Sequence, residues 1–365
     1  MKVKNIELKN FRNYETLFLD FDEQKNLIIG ENAQGKTNLL EAVYYLSILD
    51  STRIKKDAEL IKFGTNQAII KANVLKNDCD IDLNITIEAG KNKILKVNGL
   101  KKNKQGEFKR VLQAVSFCTN DLLLLRGEPS FRRKWLDNAI CQVYPIYIEK
   151  IQKYNKIRLQ KSNLLSEYPP DPDMLDVFNM QLATSGANII FIRNKFLIEL
   201  NKIANLKHKQ IAQNEEFKTY YENEFLEENI SVKELEEKLY EKLCATKDEE
   251  TRKMQCLTGP HRDDIAFFVN ETDSKKYASQ GQQRTIVLAL KLAELEIIKE
   301  KNDDYPILLL DDVLAELDIT RQNYLLNSID KNIQTIITCT DTKAFTEEFL
   351  ADMKIVEIEA GKIKN

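Results

Sequence analysis

Histidine is scarce in this chain of 365 residues: only His208 and His261 occur. That count comes close to excluding a metal centre built on imidazole. Six cysteines (Cys79, Cys118, Cys141, Cys244, Cys256 and Cys339) are scattered with no short-range pair. Their spacing argues against a disulfide framework and against a Cys-type zinc site, and it fits a reducing compartment. No run approaches the roughly 20 apolar residues of a membrane-spanning helix. The stretch MKVKNIELKNFRNYETLFLDF alternates apolar and polar residues and lacks the continuous apolar core of a secretory signal. The expected location is the cytoplasm, with no membrane partner. There is one tryptophan, and no interleaving of aromatic with basic residues that would make a base-stacking platform. No internal repeat or low-complexity segment is evident.

Charge, by contrast, is plentiful. The chain has 54 Lys+Arg against 57 Asp+Glu, a net charge of −3, with 30% charged and 43% hydrophobic residues. This composition suits a water-soluble globular protein, and the length suits about two domains. The near balance hides an asymmetry: residues 91–165 hold 17 Lys+Arg and 5 Asp+Glu. The remainder is correspondingly acidic, above all between Glu215 and Glu250. A solvated helix face produces such runs as readily as an anion-binding surface does.

Hydropathy patterning predicts short strands over 1–30, then a helix over 38–50 with apolar spacing at Leu39, Leu40, Val43, Tyr44 and Leu46. Strand signals return from about 66 to 118, with a hairpin turn at Asn98-Gly99. From about 130 to 212 the pattern is long and helical, broken once at Pro169-Pro170-Asp171-Pro172-Asp173 between two antiparallel helices. A third helix is expected from about 231 to 256, capped by Ser231 with Glu234 three residues on. Strands and one helix then close the chain. Ile146, Ile148, Ile151, Leu159, Leu164 and Leu165 are expected to form the packing seam of the helical region.

One motif carries specific chemistry. Gly30-Glu31-Asn32-Ala33-Gln34-Gly35-Lys36-Thr37 has the spacing G-x-x-x-x-G-K-T, after an apolar strand ending at Ile29 and before an amphipathic helix. The glycines let the loop wrap with its N–H groups inward around a β-phosphate. Lys36 supplies charge to the β- and γ-phosphates, and the Thr37 hydroxyl is a ligand for Mg²⁺. A bound nucleoside triphosphate is the expectation. Pro306-Ile307-Leu308-Leu309-Leu310-Asp311-Asp312 then reads as a buried strand ending in two carboxylates. Asp311 fits the hydrated Mg²⁺, and Asp312 the attacking water. Between these motifs, Ser279-Gln280-Gly281-Gln282-Gln283-Arg284 opens a Leu- and Ala-rich helix, a further phosphate-binding end.

Taken together, these elements resemble ATPases of the ABC class. That resemblance implies ATP sandwiched between two protomers, with the signature segment Ser279, Gln280, Gly281 and Gln282 of one covering the γ-phosphate held by the other. Within the class, the whole chain resembles the RecF family of bacterial recombination and gap-repair ATPases related to the SMC proteins. The residues carrying the match run from end to end. They include Leu8-Lys9-Asn10-Phe11-Arg12-Asn13-Tyr14, the Gly30–Thr37 loop with Asn38-Leu39-Leu40-Glu41-Ala42, and Arg132-Arg133-Lys134-Trp135-Leu136-Asp137. Thr258-Gly259-Pro260-His261-Arg262-Asp263-Asp264 and Leu310-Asp311-Asp312-Val313-Leu314-Ala315-Glu316-Leu317-Asp318 complete the set.

The resemblance implies an α/β fold: an ABC-type ATPase head, with a P-loop core and N-terminal antiparallel strands, plus a helical arm. The head is expected at 1–129 and 258–365, the arm at 130–257. It further implies slow ATP hydrolysis with Mg²⁺, and homodimerisation on ATP. The implied partners are duplex DNA and single/double-strand junctions, with RecR as protein partner and RecA loading at gaps as the task. It places Asn38 and Arg12 near the nucleotide. Thr340, in Thr338-Cys339-Thr340-Asp341, stands where many ABC ATPases keep a switch histidine; Asn120 and Asp121 are the candidates to complete the Mg²⁺ shell. The arm lacks the C-x-x-C of a zinc hook. Two alternatives remain: a nucleotide-gated DNA clamp with incidental turnover, and the ATPase subunit of an ABC transporter. DNA contacts are expected at Lys101, Lys102, Lys104, Lys109 and Arg110, and at Lys153, Lys156, Arg158 and Lys161.

Overall fold

A computed structural model describes residues 1–167, 169–342, 345 and 347–364. The chain divides into two compact units, Met1–Asp121 with Val287–Asn365, and Leu122–Ile286.

In the first unit, alternating apolar residues build the antiparallel strands β1 (Lys2–Phe11) and β2 (Tyr14–Asp20). A register shift between Val3 and Asn5 lets Val3 and Ile6 both point into the core. The apolar strand β3 (Lys25–Ile29) runs into the phosphate-loop motif, and α1 (Lys36–Ile48) follows with Leu39, Leu40, Val43 and Leu46 buried. Next come β4 (Gln67–Lys76), β5 (Cys79–Glu88), β6 (Ile94–Val97) and β7 (Leu100–Lys102), the last two joined by the expected Asn98-Gly99 turn. They extend the antiparallel sheet in the order β2-β1-β4-β5-β6-β7. A short helix, α2 (Gln105–Lys109), leads to β8 (Ala114–Cys118).

The second unit is mostly helical: α3 (Leu123–Arg126), α4 (Pro129–Val143), α5 (Ile146–Leu165) and α6 (Pro172–Ile211). The helical run is broken twice and not once, because Pro145 cannot continue α4 and starts α5 instead. The Asp171 carboxylate caps α6 by accepting from the N–H groups of Asp173 and Met174. At 40 residues this helix is roughly 60 Å long. A strand follows where a helical arm was expected, β9 (Phe217–Glu222). The predicted Ser231–Glu234 capping box opens α7 (Val232–Ala245). The helix ends at Thr246, so the single third helix is two, α7 and α8 (Lys247–Lys253). β10 (Asp264–Val269) pairs with β9 and with β11 (Thr272–Asp273), then α9 (Ser274–Tyr277) follows, and α10 (Gln280–Asn302) begins in this unit and continues from Val287 in the first. This β9–β10 pairing puts residues 258–286 in the same unit as the arm, so the units divide at 121/122 and 286/287 and not at 129/130 and 257/258. Ile148 and Leu165 are buried, but Ile146 and Leu159 are exposed and lie outside the seam.

Back in the first unit come β12 (Ile307–Asp311), α11 (Ile319–Ser328), β13 (Thr335–Cys339), α12 (Glu347–Ala351), β14 (Lys354–Glu359) and β15 (Lys362–Lys364). α11 and α12 are additional to the one closing helix expected. The second sheet has the order β15-β14-β3-β13-β12-β8, parallel from β14 to β8. Its central strands β12 and β13 are buried along nearly their whole length, as strands covered on both faces are.

Candidate nucleotide site and signature segment

Strand order makes the first site. β13 lies between β3 and β12, so the ends of the phosphate-loop strand and the acidic strand are one strand apart. Register aligns Ile29 with Cys339, and Thr338 with Asp311. The C-terminal ends of parallel strands are where open α/β sheets bind ligands.

The loop is held by its neighbours as well as by itself. Tyr14 Oη donates to the Gly35 carbonyl (2.9 Å), and Asn13 Nδ2 to the Gln34 carbonyl (3.1 Å). A Cβ at Gly35 would stand 2.8 Å from both donors, and its φ of +119° is left-handed. On the other side the Gly361 N–H donates to the Gln34 carbonyl (3.0 Å), and the Ala360 N–H to the Gln34 side chain. A Cβ at Gly30 would meet the Ile358 carbonyl at 2.3 Å. The loop is thus gripped between the β1–β2 turn and the β14–β15 turn. Ala33 sits at φ +66°, a strained value held by this frame. Glu31, Asn32 and Ala33 are exposed at the tip. The Lys36 ammonium is buried and donates across the loop to the carbonyls of Gly30 (2.7 Å) and Glu31 (3.0 Å).

Thr37 and Asp311, 274 positions apart, meet: Thr37 Oγ1 donates to Asp311 Oδ1 at 2.9 Å. Thr338 Oγ1 donates to the same oxygen at 2.9 Å while accepting the Asp312 N–H at 3.0 Å. Burial pushes the Asp311 carboxyl upward; the two hydroxyls and the charge of Arg53 oppose that rise. Asp312 has φ +53° at the strand end. Among the described residues no cluster of three or more His, Cys, Asp or Glu could hold a metal. One hydroxyl and one carboxylate suit Mg²⁺, which takes its other ligands from phosphates and water. The donor set therefore fits the ion, and the loop fits a phosphate chain.

The remaining predicted residues fall as follows. Arg12, left-handed at φ +54°, gives its guanidinium to Glu41 (2.9 and 2.8 Å) and to the Glu59 carbonyl (3.1 Å). Asn38 joins Asn13 (2.8 Å) and Arg53 (3.0 Å). Arg53 also reaches Glu41 (3.0 Å), so a buried carboxylate holds two arginines beside α1. Neither Arg53 nor the bridging role of Thr338 was read from sequence. Thr340 is exposed just beyond β13. Asp121 accepts from the Cys118 N–H (2.7 Å) and pairs with buried Lys291 (3.1 Å), while Asn120 is exposed.

In the second unit, Ser279 caps α10. Its hydroxyl accepts the Gln282 N–H (3.2 Å), while Gln282 Oε1 accepts the Ser279 N–H (2.9 Å). Gln283 is fixed by Arg126 (2.6 Å) and by the Ala278 carbonyl (2.9 Å). Ser279 and Gln280 are exposed, Gly281 and Gln282 half-buried.

The sequence profile of the RecF/RecN/SMC N-terminal domain matches residues 2–364. DNA replication and repair protein RecF of Bacillus cereus (strain G9842) is 40% identical, with all of this chain and 98% of the relative covered. RecF of Halalkalibacterium halodurans is 39% identical, covering 100% and 99%. The chain belongs to the RecF family. A solved RecF–ATP structure, described as the recombination mediator of the RecFOR pathway, superposes with a TM-score of 0.92 at 34% identity, covering 100% of this chain and 97% of that one. An SMC head bound to a winged-helix domain of ScpA shares the fold, with a TM-score of 0.56 at 13% identity, covering 100% and 96%. The fold is the α/β ABC-type head of RecF and SMC proteins with a helical arm. No helix among the described residues is long and apolar enough to cross a membrane.

Proposed function

We propose that this RecF-family protein is an ATP-dependent DNA-binding protein of recombinational gap repair. It binds ATP with Mg²⁺ in the Gly30–Thr37 loop, dimerises around two nucleotides on duplex DNA near single-strand gaps, and hydrolyses ATP slowly. The single observation that carries the nucleotide reading is the Thr37–Asp311 contact at 2.9 Å beneath a loop pinned from both sides. Loop N–H groups and Lys36 bind the phosphates; Thr37 and Asp311 hold Mg²⁺, which when bound neutralises charge on the phosphate oxygens. Asp312, at the adjacent strand end, orients water. Ser279, its hydroxyl oxygen already accepting from its own helix, keeps its proton for donation to the partner's γ-phosphate. Thr340 gives weaker support there than a histidine would, which favours slow turnover. Family membership supports RecR as protein partner and RecA loading as the task. An ABC-transporter role is set aside by that membership.

Replacing Lys36 by Met should abolish ATP binding and ATP-driven dimerisation together, because the phosphates lose their counter-charge. Sedimentation with and without ATP reads both. A Lys36→Met protein that still dimerised on ATP addition would refute the phosphate-loop reading.

A further inference from the structure

Gln282 does two things with one side chain. Its carbonyl oxygen closes the cap on Ser279, and its Nε2 donates to Glu215 Oε1 at 2.9 Å. The other oxygen of that carboxylate, Oε2, lies 3.0 Å from His208 Nε2. His208 sits in the last turn of α6, fully buried, with its ring stacked on Phe217 at 5.5 Å. A glutamate at position 282 would serve the cap as well as glutamine does, since the box needs only an acceptor. What demands the amide is Glu215: only glutamine can accept from Ser279 and donate to a carboxylate at once. The 40-residue arm helix is thereby tied, through two side chains, to the residue that caps the signature serine.

We propose that Glu215 is a positioning residue for the signature segment, and that the His208–Glu215–Gln282 chain sets the pose of Ser279 from the end of the arm helix. The inference rests on the reading of Ser279 as a ligand of the partner's nucleotide. A bond to a charged acceptor makes the link strong enough to matter, on the order of tenfold or more in an equilibrium constant.

A swap of the two side chains tests it. Glu215→Ala should weaken ATP-driven dimerisation about tenfold while the monomer's affinity for a fluorescent ATP analogue, set by the phosphate loop, stays as it was. Gln282→Glu should also weaken dimerisation, because two carboxylates then face each other. Combining Gln282→Glu with Glu215→Gln restores every bond: the new amide donates to position 282 and accepts from His208. Dimerisation should return toward the original level, measured by sedimentation with ATP. A merely structural role is excluded by requiring unchanged thermal unfolding in each variant and rescue in the pair. Ser279→Arg is the control. If it blocks the dimer while Glu215→Ala and Gln282→Glu do not weaken it, or if the pair fails to rescue, this inference is overturned alone. If Ser279→Arg dimerises normally, the shared-site reading falls and takes this inference with it.

Discussion

Asp311 carries opposed demands. Its carboxylate accepts from Thr37, yet burial raises its proton affinity above that of an exposed aspartate. A folded pKa above the unfolded one means the ionised form costs stability at neutral pH, a cost relieved as pH falls through the raised value. Asn at 311 keeps the acceptor for Thr37 and Thr338 and removes the charge. Without nucleotide, Asp311→Asn should therefore unfold at an equal or higher temperature, with a gain of about 1 kcal/mol. Its Mg²⁺-dependent ATP hydrolysis should fall at least about 100-fold. Thermal unfolding beside a phosphate-release assay checks both; a marked loss of stability would show that the carboxylate is a net structural asset. The phosphate loop was legible because its chemistry is contiguous over eight residues. What Gln34, Arg12 and Arg53 do was not, because each depends on a partner brought in by folding: Ala360 for Gln34, and Glu41 for both arginines.

Between the arm and β10, the segment Thr258–Asp264 shows how a motif can be spent on structure. The Pro260 carbonyl accepts from buried Arg193 of α6 (2.7 Å), which also grips Asp137 of α4. Asp263 accepts from Tyr221 of β9 and from Asn223 (3.0 Å), and Asp264 takes a bidentate pair from Arg132 of α4 (2.6 and 2.9 Å). His261 Nδ1 faces Tyr154 Oη of α5 (2.6 Å), and Nε2 faces the Cys256 carbonyl (3.1 Å). Burial, reinforced by the charges of Arg158, Arg262 and Arg133, pushes the imidazole down to about 4 despite the Cys256 bond. A histidine kept neutral in the fold contributes stability fully above its unfolded pKa of about 6.5, and loses it as pH falls toward 4. The window is worth about 3 kcal/mol. Thermal unfolding of the native protein and of His261→Gln, compared from pH 7.5 to 4.5, should converge as pH falls, since other titrating groups are common to both. Parallel curves would mean that His261 is not the group protonated. The Pro169–Asp173 break before α6 and the Ser231 box were legible, being local. β9 was not: Phe217–Glu222 is a strand because β10 pairs with it from 42 or more positions away, and no local pattern announces that.

At the scale of the whole molecule, the charge asymmetry acquires a geometry. Lys161 is buried against Glu250 and Asn179, and Lys109 is buried too, so neither can meet DNA. Lys102 shares its register with buried Leu95 and pairs with Glu107 (3.7 Å), whereas Lys96 and Lys101 stand opposite each other on the outer face of the β6–β7 hairpin. Lys104 and Arg110 are exposed in the same unit, Lys153 and Lys156 on α5 of the other. Exposed lysines on a sheet face bind phosphates and read no bases, so binding should be insensitive to sequence. A single protomer opposes that attraction with its acidic remainder; the ATP-joined dimer proposed above would present twice as many lysines to one duplex. Replacing Lys96, Lys101 and Lys104 together by Glu should weaken duplex binding equally for all sequences and leave ATP-driven dimerisation intact. The slope of log affinity against log salt should become shallower by roughly 0.9 for each phosphate that the variant no longer neutralises. Fluorescence anisotropy across a salt series, with ATP present, gives both quantities. An unchanged slope in the triple variant would return this hairpin to the solvated surface and move the DNA-binding face to the lysines of α5.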